Sequence, residues 1–210
     1  MSRNTIHTNS YLAKINPNAD TTGTGVFKYR STPSGSLPTN DDLMRVVREG
    51  IPDTAMPAFT TLPQRDVQSV IEYVKTFSLR WREPRSYAAP IGIPQRPSWF
   101  DDAEDFVRHV EKGRSLYGVA CAPCHGTKGD GLGSVTNLMD SWGNPTPARD
   151  LRSPYIRSGR QLEDVYRVLV TGLDGTPMPS FAEGTTETQR WELIAFIEQL
   201  RRDNRQRARE

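Results

Sequence analysis

Residues Cys121-Ala122-Pro123-Cys124-His125 decide how the rest of the chain is read. Two cysteines separated by two residues and closed by a histidine form the pattern of covalent c-type haem attachment. The thiols can form thioethers with the porphyrin vinyl groups, and the imidazole beside the second thiol can bind iron axially. Competing uses of the pair fit less well. A structural zinc site needs four ligands, usually from a second Cys or His pair, and the chain has no further cysteine. A thioredoxin-like pair belongs in a βαβ setting, whereas the upstream flank here reads as helix and the downstream flank as glycine-rich loop.

Working outward, Phe106, Val110, Gly113 and Tyr117 share one helical face, with Gly113 eight residues and Tyr117 four residues before Cys121. Gly126 and the Gly129-Asp130-Gly131 turn follow the motif, and Gly172-Leu173-Asp174-Gly175-Thr176-Pro177-Met178-Pro179-Ser180-Phe181 lies further on. In these features the chain resembles class I c-type cytochromes. The resemblance implies that the first helix crosses the carboxy-terminal helix closely at the glycine. It also implies that His125 is the proximal ligand and Met178 the distal one. Pro177 and Pro179 exclude regular helix around the thioether and stiffen its loop. A proline carbonyl from the loop containing Pro145 and Pro147 is expected to accept the second N–H of the imidazole. His/Met ligation raises the potential and leaves no open iron position, which favours an electron carrier over a haem enzyme.

With 210 residues there is room for about two domains, but hydrophobic residues make up only 35% of the chain. A buried porphyrin would supply the missing apolar bulk. A net charge of +2 is too small to imply nucleic acid as a partner. Both cysteines belong to the motif, so disulfides say nothing about compartment. The resemblance implies haem attachment outside the cytoplasmic membrane, yet Met1 to Tyr11 contain no signal-peptide pattern, and no apolar run anywhere is long enough to cross a bilayer. The natural precursor is therefore expected to start upstream.

Taken in order, residues 1 to about 40 read as polar loop. Thr39 and Asp42 make a capping box-like start for a short helix that stops at Gly50. Val67, Val70, Ile71, Val74 and Phe77 form an amphipathic stripe on a helix expected to end near Trp81 and to pack through that stripe. Residues 82–100, with four prolines, read as a semi-extended linker. Asp101 or Asp102 opens the helix that runs into the motif. A further helix spans about Gln161 to Thr171, and a last one begins near Thr186, capped with Gln189, with Leu193, Ile194, Ile197 and Leu200 facing inward. The basic run from Arg201 onward reads as a solvated helix end, with docking to an acidic redox partner as the competing use. His7 and His109 are expected to serve surface roles.

The chain also repeats itself. Asp42, Arg45, Val46 and Gly50 match Asp164, Arg167, Val168 and Gly172, while Thr54, Met56, Pro57 and Phe59 match Thr176, Met178, Pro179 and Phe181. Each pair is separated by 122 residues, and the final helices correspond after one inserted residue. Applied to Cys121, this offset puts the first copy's attachment motif at about position −1. Either the natural chain extends upstream and carries a second motif, or the first unit has lost its haem. A single upstream start would explain the missing motif and the missing export signal together. The absence of a Gly-Asp-Gly turn from residues 4 to 26 argues for loss. On either view Met56 is a candidate sixth ligand of a first haem, against the plain reading of a packing methionine.

The expected architecture is all-α, with two tandem cytochrome c-like domains of helices and long irregular loops around haem. Residues 1–83 form a unit without its attachment motif, 84–100 the proline-rich linker, and 101–210 the unit with covalent haem c. The expected function is single-electron transfer between a redox donor and a redox acceptor. The alternatives are a relay subunit of a larger oxidoreductase complex, such as an oxidase or a molybdenum enzyme, and a dihaem enzyme oxidising a small molecule. The expected location is periplasmic, or otherwise outside the cytoplasmic membrane.

Overall fold

The computed structural model describes residues 24–209, so His7 lies outside the described residues. Among them there is no β-strand, only isolated bridges between Met139 and Pro145 and between Ile156 and Gly159, and the fold is all-α. The helices, in order, are α1 (Asn40–Glu49), α2 (Gln64–Lys75), α3 (Ala103–Ala120), α4 (Ala122–His125), α5 (Leu162–Thr171) and α6 (Glu187–Arg207). None is long and apolar enough to cross a membrane.

Packing of α3 on α6 builds the main core. The side chain of Asp102 caps α3 by accepting from the Asp105 amide at 2.8 Å. Phe106, Val110, Gly113 and Tyr117 recur at helical spacing and are buried together. From α6 they meet Leu193, Ile194, Phe196, Ile197 and Leu200, all buried, and the rings of Tyr117 and Phe196 lie 4.9 Å apart. Each such side chain contributes about 1.5–3 kcal/mol by leaving water, so this crossing is the principal source of stability for the carboxy-terminal half.

The expected start and stop signals on α1 are present. Thr39 and Asp42 exchange capping bonds of 3.1 and 3.0 Å, and Gly50 ends the helix with φ 68°. The backbone frame then recurs at the repeat distance. Ile51 donates to the Met56 carbonyl at 3.0 Å as Leu173 does to that of Met178 at 3.1 Å. Phe59 donates to Val47 at 3.0 Å as Phe181 does to Leu169 at 2.7 Å. Gly172 ends α5 with φ 65°, as Gly50 ends α1.

Two expectations are corrected. Helix α2 ends at Lys75 rather than near Trp81, because Ser78 turns extended and its hydroxyl accepts from the Arg80 amide at 3.3 Å, opening a short 3₁₀ turn over Leu79–Arg82. Its stripe is only partly buried: Val67 and Ile71 are inside, but Val70 and Phe77 are 41% and 37% exposed, and Tyr73 beside them is 62% exposed. Their counterparts on α6 (Leu193, Phe196 and Leu200) are buried because α3 covers them, and among the described residues α2 has no comparable cover. The semi-extended segment 84–100 is bound along its course: Ile91 donates to Ser31 at 2.8 Å, and Ile91, Ile93 and Trp99 pack on the main core.

The basic end also differs from expectation. Helix α6 continues through Arg207, and Arg201 is buried, donating to the Leu151 carbonyl at 3.3 Å. Arg202 lies over the Phe106 ring and Arg205 pairs with Glu198, so the start of the run contributes to packing as well as facing solvent.

Candidate functional site

Helix α3 delivers its last turn directly into the motif. Cys121 caps α3 and begins the single turn of α4, in which His125 donates to the Cys121 carbonyl at 2.8 Å and Pro123 occupies the first turn, where its missing N–H costs nothing. Gly126 ends the turn with φ 76°, and the Tyr117 hydroxyl donates to its carbonyl at 2.9 Å. The following loop wraps the turn closely: Gly131 donates to His125, Val135 donates to Pro123, and a Cβ on Gly133 would meet the Pro123 carbonyl oxygen at 2.2 Å.

Nδ1 of His125 lies 2.8 Å from the carbonyl oxygen of Arg149. A carbonyl only accepts, so Nδ1 carries the proton and Nε2 is left with its lone pair. Burial holds this imidazole below its usual pKa, against the opposing effect of the Arg149 hydrogen bond, so the ring is neutral near pH 7. The expected partner, Pro145 or Pro147, is replaced by Arg149, which lies two residues past Pro147 on the same loop. The second N–H of the ring is thus engaged as an axial ligand requires, but by a different carbonyl.

Cys121 is buried and Cys124 half-buried, and neither forms a disulfide. Burial and the neighbouring Cys124 push the Cys121 thiol up to about 12, so it is a neutral thiol at pH 7. Met178 is partly buried against the same apolar cluster that contains Cys121. Its loop is held by Thr176, whose hydroxyl donates to Leu173 at 2.7 Å and accepts from the Met178 amide at 3.2 Å. Met56 sits in the equivalent frame, but it belongs to neither apolar cluster and no attachment motif accompanies it among the described residues.

The residues present fit a haem. Two unpaired thiols, a neutral imidazole with a free Nε2 and a thioether are the donor set for covalent attachment and axial ligation. Leu132, Val135 and Met139, on the loop after the motif, are 81%, 44% and 49% exposed, apolar surface that an apolar group beside the motif would cover. Nε of Arg149 is buried with no acceptor among the described residues, the kind of donor a carboxylate-bearing group takes up.

His109 has a structural setting. Its Nδ1 is 2.9 Å from Glu192, and its ring stacks on Trp99 with centroids 4.0 Å apart.

Four polar residues at the site have no place in the motif reading. Arg149 supplies the carbonyl for His125. Asp53 accepts from the Arg149 guanidinium at 2.5 Å, and Asp174, in the Met178 loop, accepts from Arg30 at 2.8 Å. The two methionine loops differ in a way that could have exposed them: Pro52-Asp53 stands where the second loop has Asp174-Gly175.

The family of cytochrome c oxidase, cbb3-type, subunit III matches residues 108–197. Among solved structures, the chain is similar to a chain of the Kuenenia stuttgartiensis reducing HAO-like protein complex Kustc0457/Kustc0458. Identity is 32% with a TM-score of 0.77, covering 85% of this chain and 80% of that one. No curated protein matches the chain.

Proposed function

This chain belongs to the c-type cytochromes, and from that premise we propose that it transfers single electrons through one covalently held haem c in its carboxy-terminal half. When bound, that haem supplies a one-electron ferric/ferrous couple. Cys121 and Cys124 would hold it through their thiols. His125 provides the proximal Nε2, with the ring orientation set by the Arg149 carbonyl, and Met178 provides the distal sulfur from a loop stiffened by Pro177 and Pro179. Were His125 and Met178 both to hold the iron, the protein would leave no position for a substrate, and the chemistry these residues would serve is outer-sphere electron transfer.

The observation that carries this reading is the His125 ring itself. It has one nitrogen tied to a backbone carbonyl at 2.8 Å and the other free, one residue from an unpaired cysteine. The chain is further proposed to act as a relay subunit of a larger oxidoreductase complex outside the cytoplasmic membrane; its likeness to a chain of the reducing HAO-like protein complex supports membership of a complex. Residues 1–83 are read as a second cytochrome c-like unit, supported by the hydrogen-bond frame shared at the repeat distance.

Redox titration of the haem-loaded chain tests the proposal. Reversible one-electron behaviour with rapid exchange to a small protein acceptor is expected. Turnover of a small molecule at the iron, with displacement of Met178, would argue for an enzyme instead.

A further inference from the structure

The two methionine loops share a backbone frame but diverge at two adjacent positions, and each of those positions contacts the other half of the molecule, beside the pairing of Arg45 with Asp164 and the Ser158 carbonyl. In the second loop, Asp174 stands where the first has Pro52. One of its oxygens accepts from Arg30 at 2.8 Å and from the Ser34 hydroxyl at 2.7 Å, and the other from the Gly35 amide at 2.8 Å. Arg30 is fully buried and also donates to the Thr171 carbonyl at 2.7 Å, at the end of α5 just before the Met178 loop. Its Nε donates to the Pro33 carbonyl and its Nη1 to that of Phe27, so the guanidinium is fixed on its own half before it reaches across.

In the first loop, Asp53 stands where the second has Gly175. It retains the left-handed backbone of that glycine, φ 57° against 77°, a conformation that L-residues rarely adopt. Its carboxylate accepts from Arg149 at 2.5 Å and from the Tyr155 hydroxyl at 3.0 Å. Arg149 is the residue whose carbonyl holds Nδ1 of His125. One set of contacts therefore bears on the Met178 loop and the other on the carbonyl that orients His125, and both come from the amino-terminal half.

We infer that the amino-terminal half clamps both axial ligands of the carboxy-terminal haem: Arg30, through Asp174, positions the Met178 loop, and Asp53, through Arg149, positions the His125 ring. The inference rests on the ligand assignment proposed above. None of these four residues touches the iron; each acts through a ligand's own loop. Loosening the Asp174 arm frees the distal thioether to give way to other ligands. Loosening the Asp53 arm weakens the Nδ1–H hydrogen bond, makes His125 a poorer electron donor and raises the potential.

The test uses the haem-loaded full chain and two readouts, imidazole affinity of the ferric protein and midpoint potential. Asp174→Ala is expected to bind imidazole about tenfold or more tightly than the wild type, from the loss of charge-assisted hydrogen bonds. Asp174→Asn, which retains acceptor oxygen, should fall between the two and guards against misfolding of the alanine variant. Asp53→Asn and Arg149→Lys are both expected to raise the potential with imidazole affinity unchanged. The lysine variant preserves charge but not the fork, so a purely Coulombic effect would leave its potential at the wild-type value. Wild-type imidazole affinity in Asp174→Ala, or a wild-type potential in Arg149→Lys, overturns the clamp. A wild type that already lacks Met ligation instead fails the functional proposal and is visible before any variant is made.

Discussion

Gly113 and Glu192 meet backbone to backbone, with no room for a side chain between them: a Cβ on Gly113 would lie 2.0 Å from the Glu192 carbonyl oxygen. This is a close approach of α3 to α6, and it holds the helix that ends in Cys121 against the core. Gly113→Ala is expected to cost about 1–3 kcal/mol through overpacking. Gly118, on the same helix, has open space around its Cβ position, and Gly118→Ala is expected to stabilise by about 0.5–1 kcal/mol. Denaturant midpoints of the two variants check both signs, and an unchanged midpoint for Gly113→Ala would show that the crossing relaxes freely.

Met178→Ala should retain covalent haem, because attachment depends on other residues. The expected changes are a lower midpoint potential and binding of small ligands such as cyanide that the wild type resists. Met56→Ala is expected to leave both properties of the 210-residue chain unchanged. A drop in potential for the Met56 variant alone would reverse the two assignments.

Cys121→Ser and Cys124→Ser should each lose one thioether, and the double variant should carry no covalent haem. Intact-protein mass spectrometry after denaturation reads this directly. Haem retained covalently by the double variant would rule out both residues as the attachment points.

A pH dependence follows from Asp53. Hydrogen bonds from Arg149 and Tyr155, aided by the charges of Arg149 and Arg157, hold its carboxyl below the usual carboxylate value. A carboxyl with a folded-state pKa below its unfolded value adds stability above the unfolded pKa, and that stability is lost as pH falls through the folded one. Asp53→Asn should therefore be less stable than the wild type at pH 7, and the gap should close below about pH 3.9. Paired denaturation curves at pH 7 and pH 2 measure it. A gap of equal size at both values would mean that the charge of Asp53 contributes nothing.

Local rules made much of this molecule legible. The cysteines and His125, the glycine and aromatic on the α3 face, the Thr39 and Thr186 caps and the glycine stops of α1 and α5 all follow from spacing within a few residues. Contacts that depend on the halves coming together were not legible. Arg30 and Asp174 lie 144 residues apart, and nothing local to either announces the other. The carbonyl at Nδ1 of His125 belongs to Arg149 rather than to a proline, on a loop whose register is set where Gly131 packs against Ala148, a tertiary contact. The exposed part of the α2 stripe looked like core because amphipathicity records the need for a partner, not its presence.

The absorption spectrum of the oxidised, haem-loaded full chain tests the His125/Met178 assignment most directly. A low-spin spectrum with a sulfur-to-iron charge-transfer band is expected, and the band should vanish in Met178→Ala. A high-spin wild-type spectrum, or a band indifferent to Met178, would contradict the assignment.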